Sequence, residues 1–428
     1  MMLTKESNGY DQARLGFQRR DPHRPDVIFP VTSAVEVEEA VRYAAEHDLR
    51  LAVQASGHGL AKGLDGGVLI ATGAFNGVRV DPKRKTAWFE AGATWQDVIE
   101  ATARYGLAPL SGSFPGVGAV SYTLGGGLGL MARWYGYSAD HVRRIEIVTP
   151  DGVRRNAEDD PELFWALRGG GGNFGVVTGI EVDLFDVATL YGGSLYFDFV
   201  QNPTVLEVWA DWTRTVPDEV TSALALVPLP DVPPIPEPLR GRYVAQVQLA
   251  ILGEGGVDLI KPLRAIGEPV LDTVGQLPYT ESGKIFAEPE RLDSYRSRNA
   301  LLSHLDPAAL ATLPKLAGPD ASAMCVIGIR HLGGALSRQP DVPNTIGHRT
   351  AAYSLTVLSP GEDDVTALHR SILKPWRGVT VGRLLNFSAG PLTGDEIREA
   401  FDPGDHRRLT ELRNRYDADR RLAPNHEL

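Results

Sequence analysis

A short loop that carries a histidine between two glycines is the first segment of the chain with evident chemical potential. It reads Gln54-Ala55-Ser56-Gly57-His58-Gly59-Leu60 and directly follows the apolar residues 51–53. Glycines at the end of a strand allow backbone amides to approach a phosphate group closely. The segment therefore predicts a loop that can hold a phosphorylated ligand, whereas His58 taken alone would be an ordinary loop histidine.

Two longer glycine clusters follow, and neither matches the common nucleotide-binding motifs. One spans residues 112–129 and the other spans residues 169–175. No GxxxxGK followed by Ser or Thr occurs, so a P-loop is excluded. The nearest approach to GxGxxG ends at Ser121 and lacks the strand–turn–helix context and the acidic partner of a Rossmann site. HExxH, zinc-type cysteine pairs and GxSxG are absent too, which removes the commoner metal and hydrolase sites.

The composition excludes several classes of protein. The 428 residues include 43 Lys and Arg against 54 Asp and Glu, a formal charge of −11. This balance argues against binding to nucleic acid or to an anionic membrane. Cys325 is the only cysteine, so no intrachain disulfide can form. The sequence shows neither a membrane-spanning apolar run nor a secretory signal, and we expect a soluble, cytoplasmic protein.

The elements that must position these loops alternate between strands and helices in the first third of the chain. Ser33 with Glu36, and Thr94 with Asp97, have the spacing of residues that cap helices. The apolar pattern predicts strands at residues 27–29, 51–53, 86–91, 144–148 and 174–185.

The pattern of predicted strands and helices changes from about residue 190. Residues 194–199 alternate, with Tyr196 and Asp198 on one face of a strand. Trp209 and Trp212 mark an amphipathic helix, and we expect both in the core. The proline-rich run 228–238 predicts a surface loop. Further strands are predicted at 242–251, 323–331 and 349–357, with a final helix around 409–416, so the fold class is α+β.

Taken together, the three segments resemble the FAD-linked oxidases of the vanillyl-alcohol-oxidase/PCMH superfamily, in particular the berberine-bridge-enzyme-like branch. The third segment, LFWALRGGGGNFGVVT, carries the most specific part of the resemblance. The resemblance implies a two-part PCMH-type FAD-binding domain, residues 1–190 with a returning C-terminal segment 386–428. Between these parts it implies an inserted antiparallel-sheet substrate domain, residues 191–385, covered by helices.

The resemblance also implies roles for individual residues. His58 lies where the family attaches the flavin to a histidine ring nitrogen. The other implied cofactor-binding residues are Gln54, Ala55, Ser56, Gly57, Gly59, Leu60, Pro115, Gly116, Val117, Gly118, Ser121, Thr123, Leu124, Gly125, Gly126, Gly127, Val177, Asn386 and Asn425. No metal is implied.

Two positions refine the expected chemistry. Members with a second covalent bond to the flavin use a cysteine where this chain has Phe114, so a single histidyl link is expected, with non-covalent FAD as the alternative. Val117 stands where a small valine is associated in the family with access of dioxygen to the flavin. Val117 therefore favours an oxidase, which would take hydride from a small organic substrate and produce hydrogen peroxide.

The substrate side is less defined by the sequence. Strand alternation offers Tyr353 and His348 as candidate catalytic bases, with Tyr196, Gln246 and Arg330 among the other polar strand residues. The single covalent link and the arginine-rich composition favour tailoring of a secondary metabolite. The alternatives are a flavin-dependent oxygenase that rearranges a polyketide, and a flavin- or metabolite-binding protein without catalysis. Substrate identity and oligomeric state stay open.

Overall fold

The computed structural model describes residues 2–290 and 294–428. Near the N-terminus four short strands form one sheet, in the order Leu3–Thr4, Val27–Pro30, Val68–Ala71, Leu51–Gln54. The last three run parallel to one another. The helix Ala34–Glu46 begins at the predicted Ser33 cap, whose hydroxyl accepts a hydrogen bond from the backbone of Glu36 at 3.4 Å. Its apolar stripe is buried against this sheet. The histidine loop directly follows the parallel strand Leu51–Gln54.

A second, antiparallel sheet of five strands carries the glycine-rich segments. Its order is Val78–Asp81, Thr86–Glu90, Val176–Asp183, Val142–Val148, Arg154–Asn156. The helix Trp95–Ala103 begins with the predicted capping box of Thr94 and Asp97. Trp95 is fully buried with Phe89 in the core beneath this sheet, together with the short helix Ala119–Leu124. The sheet therefore fixes the start of the second glycine cluster.

A nine-stranded antiparallel sheet occupies the later part of the chain. Its order is Leu271–Asp272, Thr189–Asp198, Tyr243–Ile251, Val220–Pro228, Val326–His331, Tyr353–Pro360, Tyr295–Leu302, Thr380–Gly382, with Gly275–Pro278 paired to Thr189–Asp198. Alternation gives this sheet two unlike faces. Leu195, Val247, Leu224 and Ile329 point to an apolar face on which the helix Val205–Thr213 packs, and both predicted core tryptophans are buried there.

The opposite face of this sheet is polar and meets the part of the chain that contains the second glycine segment. Gln248, Ala223 and Arg330 lie side by side on neighbouring strands of this face. Arg330 contacts Ser113 of the second glycine segment directly. Substrate-facing side chains are therefore expected on this face.

The remaining helices pack around the sheets. They are Tyr10–Arg14, Ala132–Tyr135, Pro161–Leu167, Gly256–Leu259, Lys261–Arg264, Pro307–Leu310, Leu313–Leu316, Thr366–Leu373, Gly394–Arg398 and Pro403–Tyr416. The last of these packs on Pro161–Leu167, and Leu51 donates a backbone hydrogen bond to Arg421 at 2.8 Å. The C-terminal segment thus returns to the first two sheets.

The strand expected at residues 349–357 begins four residues later, at Tyr353. His348 has a positive φ of 55°, which breaks an extended path. The guanidinium of Arg349 turns away to pair with Asp140 at 2.6 Å, and both side chains are buried. The prediction that the strand includes residues 349–352 is therefore wrong.

Candidate active site

His58 is partly buried, and the described residues form a hydrogen bond with only one of its two ring nitrogens. Its ring stacks on Phe17 with centroids 3.9 Å apart, and its Nδ1 shares a hydrogen bond with Ser56 Oγ at 2.8 Å. Burial lowers the pKa of His58 to about 4, so the imidazole is neutral near pH 7. Nε2 is buried and has no partner among the described residues. The ring is thus held in one orientation with an unused nitrogen.

Ser56 joins the histidine loop to the second glycine segment. Its hydroxyl accepts a hydrogen bond from the backbone N–H of Gly118 at 3.1 Å. Gly57, with φ of 73°, lies so close to Gly16 that an added β-carbon would be 2.5 Å from the Gly16 Cα. Gly59 donates its N–H to the Tyr295 hydroxyl at 3.0 Å. Contacts with Gly118, Gly16 and Tyr295 therefore fix the position of the histidine loop.

The second and third glycine segments meet at Leu124. Its carbonyl accepts hydrogen bonds from Gly169 at 2.9 Å and from Gly171 at 3.0 Å. Within the helix Ala119–Leu124, the Thr123 hydroxyl donates to the Ala119 carbonyl at 2.8 Å. The structure therefore brings together residues that are some 45 positions apart in the chain.

Two asparagines from the C-terminal part reach these loops. Asn386 Nδ2 donates to the carbonyl of Tyr122 at 2.9 Å, and its side chain covers Gly125. Asn425 Nδ2 donates to the carbonyl of Gly59 at 2.9 Å, while its Oδ1 accepts from Ala61 N–H at 2.7 Å. Both asparagine side chains therefore form hydrogen bonds with backbone groups of the glycine loops.

The other predicted cofactor residues divide into loop contacts and supports. Ser121 Oγ donates to the Gly118 carbonyl at 3.2 Å, and the Leu60 carbonyl accepts from Gly390. Gly126 and Gly127 adopt positive φ and turn the chain after the short helix. The remaining predicted residues belong to the histidine loop and to the second glycine segment. They are Gln54, which ends the strand Leu51–Gln54, and Ala55, Pro115, Gly116 and Val117. Val177 is buried in the core of the five-stranded sheet.

These residues fit a flavin nucleotide by their own chemistry. The buried Nε2 of His58 lacks a partner, and an added methyl group at Gly59 or Gly172 would meet no atom within 4 Å. The loops thus combine room beside the glycines with a nitrogen able to form a bond. No group of three metal-ligating side chains occurs in residues 2–290 and 294–428.

A small cavity lies between the second glycine cluster and the polar face of the nine-stranded sheet. Its walls include Leu130, Ala223, Gln248, Phe286 and Arg330. The Arg330 guanidinium donates to Ser113 Oγ at 3.0 Å, which links this cavity to the segment that contains Pro115 and Val117. The cavity therefore borders the segment for which the sequence predicts contacts with the flavin.

The structure places neither candidate base in this cavity. Tyr353 points to the apolar face, where its hydroxyl shares a hydrogen bond with Thr213 at 2.7 Å and its ring stacks on His331. His348 Nε2 lies 3.0 Å from the carbonyl of Glu399, at the junction with the C-terminal segment. Tyr353 faces away because it shares with Leu355 and Val357 the face of the strand that packs in the helix-covered core. His348 belongs to the turn before this strand.

Three residues that support the site were missed from the sequence. Phe17 stacks on His58, Tyr295 receives the Gly59 N–H, and Gln18 donates to the Tyr295 carbonyl at 2.7 Å. Their positions come from segments remote in the chain. No local motif marks them, so only the folded arrangement reveals them.

Comparison with known proteins supports an FAD-linked flavoprotein fold. A family profile for an FAD binding domain matches residues 25–157. (R)-6-hydroxynicotine oxidase of Paenarthrobacter nicotinovorans is 27% identical and is aligned over 100% of this chain and 96% of its own length. An FAD-dependent monooxygenase of Penicillium roqueforti is 33% identical over 41% of this chain and 35% of its own.

Solved structures show the same fold over the whole chain. 6-Hydroxy-D-nicotine oxidase from Arthrobacter nicotinovorans superposes with a TM-score of 0.83 at 22% identity, over 98% of this chain and 96% of that one. A berberine-bridge-enzyme-like protein of Physcomitrella patens gives a TM-score of 0.85 at 18% identity, over 100% and 96%. Within the described ranges, none of the helices is both long and apolar enough to cross a bilayer.

Proposed function

Because the chain belongs to the berberine-bridge-enzyme-like branch of the vanillyl-alcohol-oxidase/PCMH flavoproteins, we propose that it oxidises a small organic molecule with dioxygen as electron acceptor. The FAD-dependent oxidoreductase class is that of the family. Hydrogen peroxide is the expected second product. We assign the cofactor to residues 1–190 and 386–428, and the substrate to residues 191–385.

The observation that carries the proposal is the buried, unpartnered Nε2 of His58 at the junction of two glycine loops. Ser56 engages Nδ1, so Nε2 is the nitrogen we propose for a covalent bond to FAD. The low pKa keeps this ring neutral, and a neutral imidazole nitrogen can act as a nucleophile. Phe17 keeps the ring in place. FAD, when bound, supplies acceptance of two electrons from the substrate and their delivery to dioxygen.

Val117 supports dioxygen as the acceptor. Its side chain is partly buried against the core under the five-stranded sheet. A small side chain leaves room that one further methylene would fill. We therefore expect Val117→Leu to slow reoxidation by dioxygen about tenfold or more, with substrate-dependent reduction retained. Val117→Ala is the matched control and keeps rapid reoxidation in stopped-flow absorbance; equal rates in all three proteins would contradict the role of Val117.

The experiment that tests the covalent link is acid precipitation of the purified protein. We expect a yellow pellet and flavin fluorescence on a denaturing gel, both lost in His58→Ala. Ser56→Ala is the matched control: it removes the Nδ1 contact and keeps Nε2, so it retains some covalent flavin. A colourless pellet under a yellow supernatant would show that His58 only contacts FAD.

The alternative reaction is oxygen insertion, which is favoured by the similarity to the FAD-dependent monooxygenase that is 33% identical over 41% of this chain. Incubation under heavy-isotope dioxygen separates the two reactions. Label in peroxide alone supports the oxidase, whereas label in the organic product supports the oxygenase. Tailoring of a secondary metabolite in the cytoplasm stays a prediction.

A further inference from the structure

Arg330 is a partly buried cation that lines the candidate substrate cavity, and none of the described residues supplies a carboxylate to pair with it. It lies on the strand Val326–His331, on the polar face of the nine-stranded sheet. Its guanidinium carbon is 4.4 Å from the ring centroid of Phe286 and 5.1 Å from that of Phe387. One Nη2 hydrogen bond to Ser113 Oγ, at 3.0 Å, is its only side-chain hydrogen bond to the described residues.

Three buried arginines of this chain have carboxylate or carbonyl partners for their guanidinium groups. Arg349 pairs with Asp140 at 2.6 Å, and Arg413 pairs with Glu427 at 2.8 Å. Arg168 donates to three backbone carbonyls, those of Phe164, Val342 and Pro343. Within residues 2–290 and 294–428, Arg330 has no carboxylate at ion-pair distance. Arg330 therefore differs from these three arginines, because the described residues supply no carboxylate to pair with it.

The charges near Arg330 also leave its guanidinium without a neutralising partner. Burial lowers the pKa of Arg330, and the charge of Glu288 opposes that shift from beyond ion-pair distance. Glu288 is exposed, so it does not neutralise the guanidinium in the cavity. An arginine keeps its charge at neutral pH, and a charge that is partly withdrawn from water without a partner carries a desolvation cost. A ligand that brings a negative charge therefore relieves an existing cost.

The geometry also defines the shape of that ligand. Aromatic rings lie beside the guanidinium, and its N–H donors not used by Ser113 border the cavity. A carboxylate matches two parallel N–H donors of a guanidinium. Beside Arg330 on the same face, Gly328 leaves open space, since an added β-carbon would meet no atom within 4 Å. The adjacent strand contributes the small Ala225 opposite Gly328.

We propose that the substrate is an organic acid whose carboxylate binds Arg330, with its carbon skeleton over the small residues of the same sheet face. This inference rests on the proposed function, because it names the class of molecule oxidised at that site. Ser113 then positions Arg330 relative to the flavin loops. No bond is made or broken at Arg330; its role is to bind and orient.

The test is isothermal titration of the holoprotein with two matched pairs, benzoate with benzamide and phenylacetate with phenylacetamide. We expect at least one acid to bind about tenfold or more tightly than its amide, since charged hydrogen bonds differ by that much from neutral ones. Arg330→Gln abolishes this preference, and Arg330→Lys retains part of it. Arg214→Gln, at an exposed ion pair, is the control and retains all of it. Equal binding of acids and amides, no binding of either acid, or an unchanged preference in Arg330→Gln would overturn the proposal.

A second measurement separates the substrate role from a role toward the cofactor. The flavin midpoint potential of Arg330→Gln is compared with that of the unaltered protein. An unchanged potential with lost carboxylate preference supports the proposal. A shifted potential with unchanged preference shows that Arg330 serves the flavin and overturns it. Failure of the proposed function differs again: the flavin would stay oxidised with every substrate, while calorimetry would still detect carboxylate binding.

Discussion

The two halves of the candidate site are built in opposite ways. The cofactor half consists of backbone loops in which glycines, Ser56 and His58 follow one another within short stretches of sequence. The substrate half consists of single side chains, such as Gln248 and Arg330, that come from separate strands of one sheet. A loop site is specified by consecutive residues, whereas a sheet-face site is specified by register. Their sensitivity to substitution should therefore differ in kind.

The largest effect is expected in the cofactor half, at Gly57. Gly57→Ala would place a β-carbon 2.5 Å from the Gly16 Cα at a φ of 73°. A backbone clash and a left-handed alanine together are expected to cost about 2–4 kcal/mol in the free energy of unfolding. Urea denaturation measures this loss, and the flavin content of the purified variant should fall with it.

Gly59→Ala is the matched control for Gly57→Ala. Gly59 also has a positive φ, of 65°, but an added β-carbon there meets no atom within 4 Å. Only the backbone strain remains, so about 1 kcal/mol is expected. Equal losses in the two variants would show that the close approach to Gly16 does not fix the loop, and the contrast between loop and sheet would weaken.

The same contrast explains what the sequence could predict. The capped helices, the glycine loops and the contact of Asn425 with Gly59 all depend on local patterns or on a specific family motif. Arg330 was one polar strand residue among several, because its importance depends on Ser113 and Phe286, which lie more than 40 residues away. Sequence alternation alone does not say which face of a sheet covers the cofactor.

Tyr353 shows how a catalytic candidate can be assigned to the wrong face of a sheet. The strand was expected to begin at Arg349, but Arg349 pairs with Asp140 and the strand begins at Tyr353, a shift that leaves the alternation of faces unchanged. Tyr353 lies with Leu355 and Val357 on the helix-covered face, whereas Ser354 lies on the polar face. Nothing in the local sequence reports an ion pair with a residue some 200 positions earlier.

A second prediction concerns the pH dependence of the helix-covered face. His331 is buried beside Arg133, and burial together with that charge lowers its pKa to about 3. The folded state thus binds fewer protons at this residue than the unfolded state below pH 6.5. Stability from His331 is complete above pH 6.5 and falls as the pH decreases toward 3, by at most about 1.4 kcal/mol per pH unit.

The variant His331→Asn isolates this contribution. It removes one titrating group, so the plot of unfolding free energy against pH between 6 and 4 should become less steep by about that amount. Urea denaturation at several pH values measures the slope independently of any constant loss in stability. An unchanged slope would show that His331 is already protonated in the folded protein.

The smallest effect is expected at Tyr353, and it tests the division between the two sheet faces. Tyr353→Phe removes the hydroxyl that shares a 2.7 Å hydrogen bond with Thr213, while Thr213 keeps its bond to the Ala210 carbonyl. We expect a loss of about 1 kcal/mol in unfolding free energy. Turnover should stay within about twofold of the unaltered protein, because the hydroxyl lies on the face opposite to Arg330. Arg330→Gln should show the reverse pattern, with changed turnover and near-normal stability. A large loss of turnover in Tyr353→Phe would restore Tyr353 as a catalytic candidate, and the helix-covered face would then have to open toward the flavin loops during the reaction.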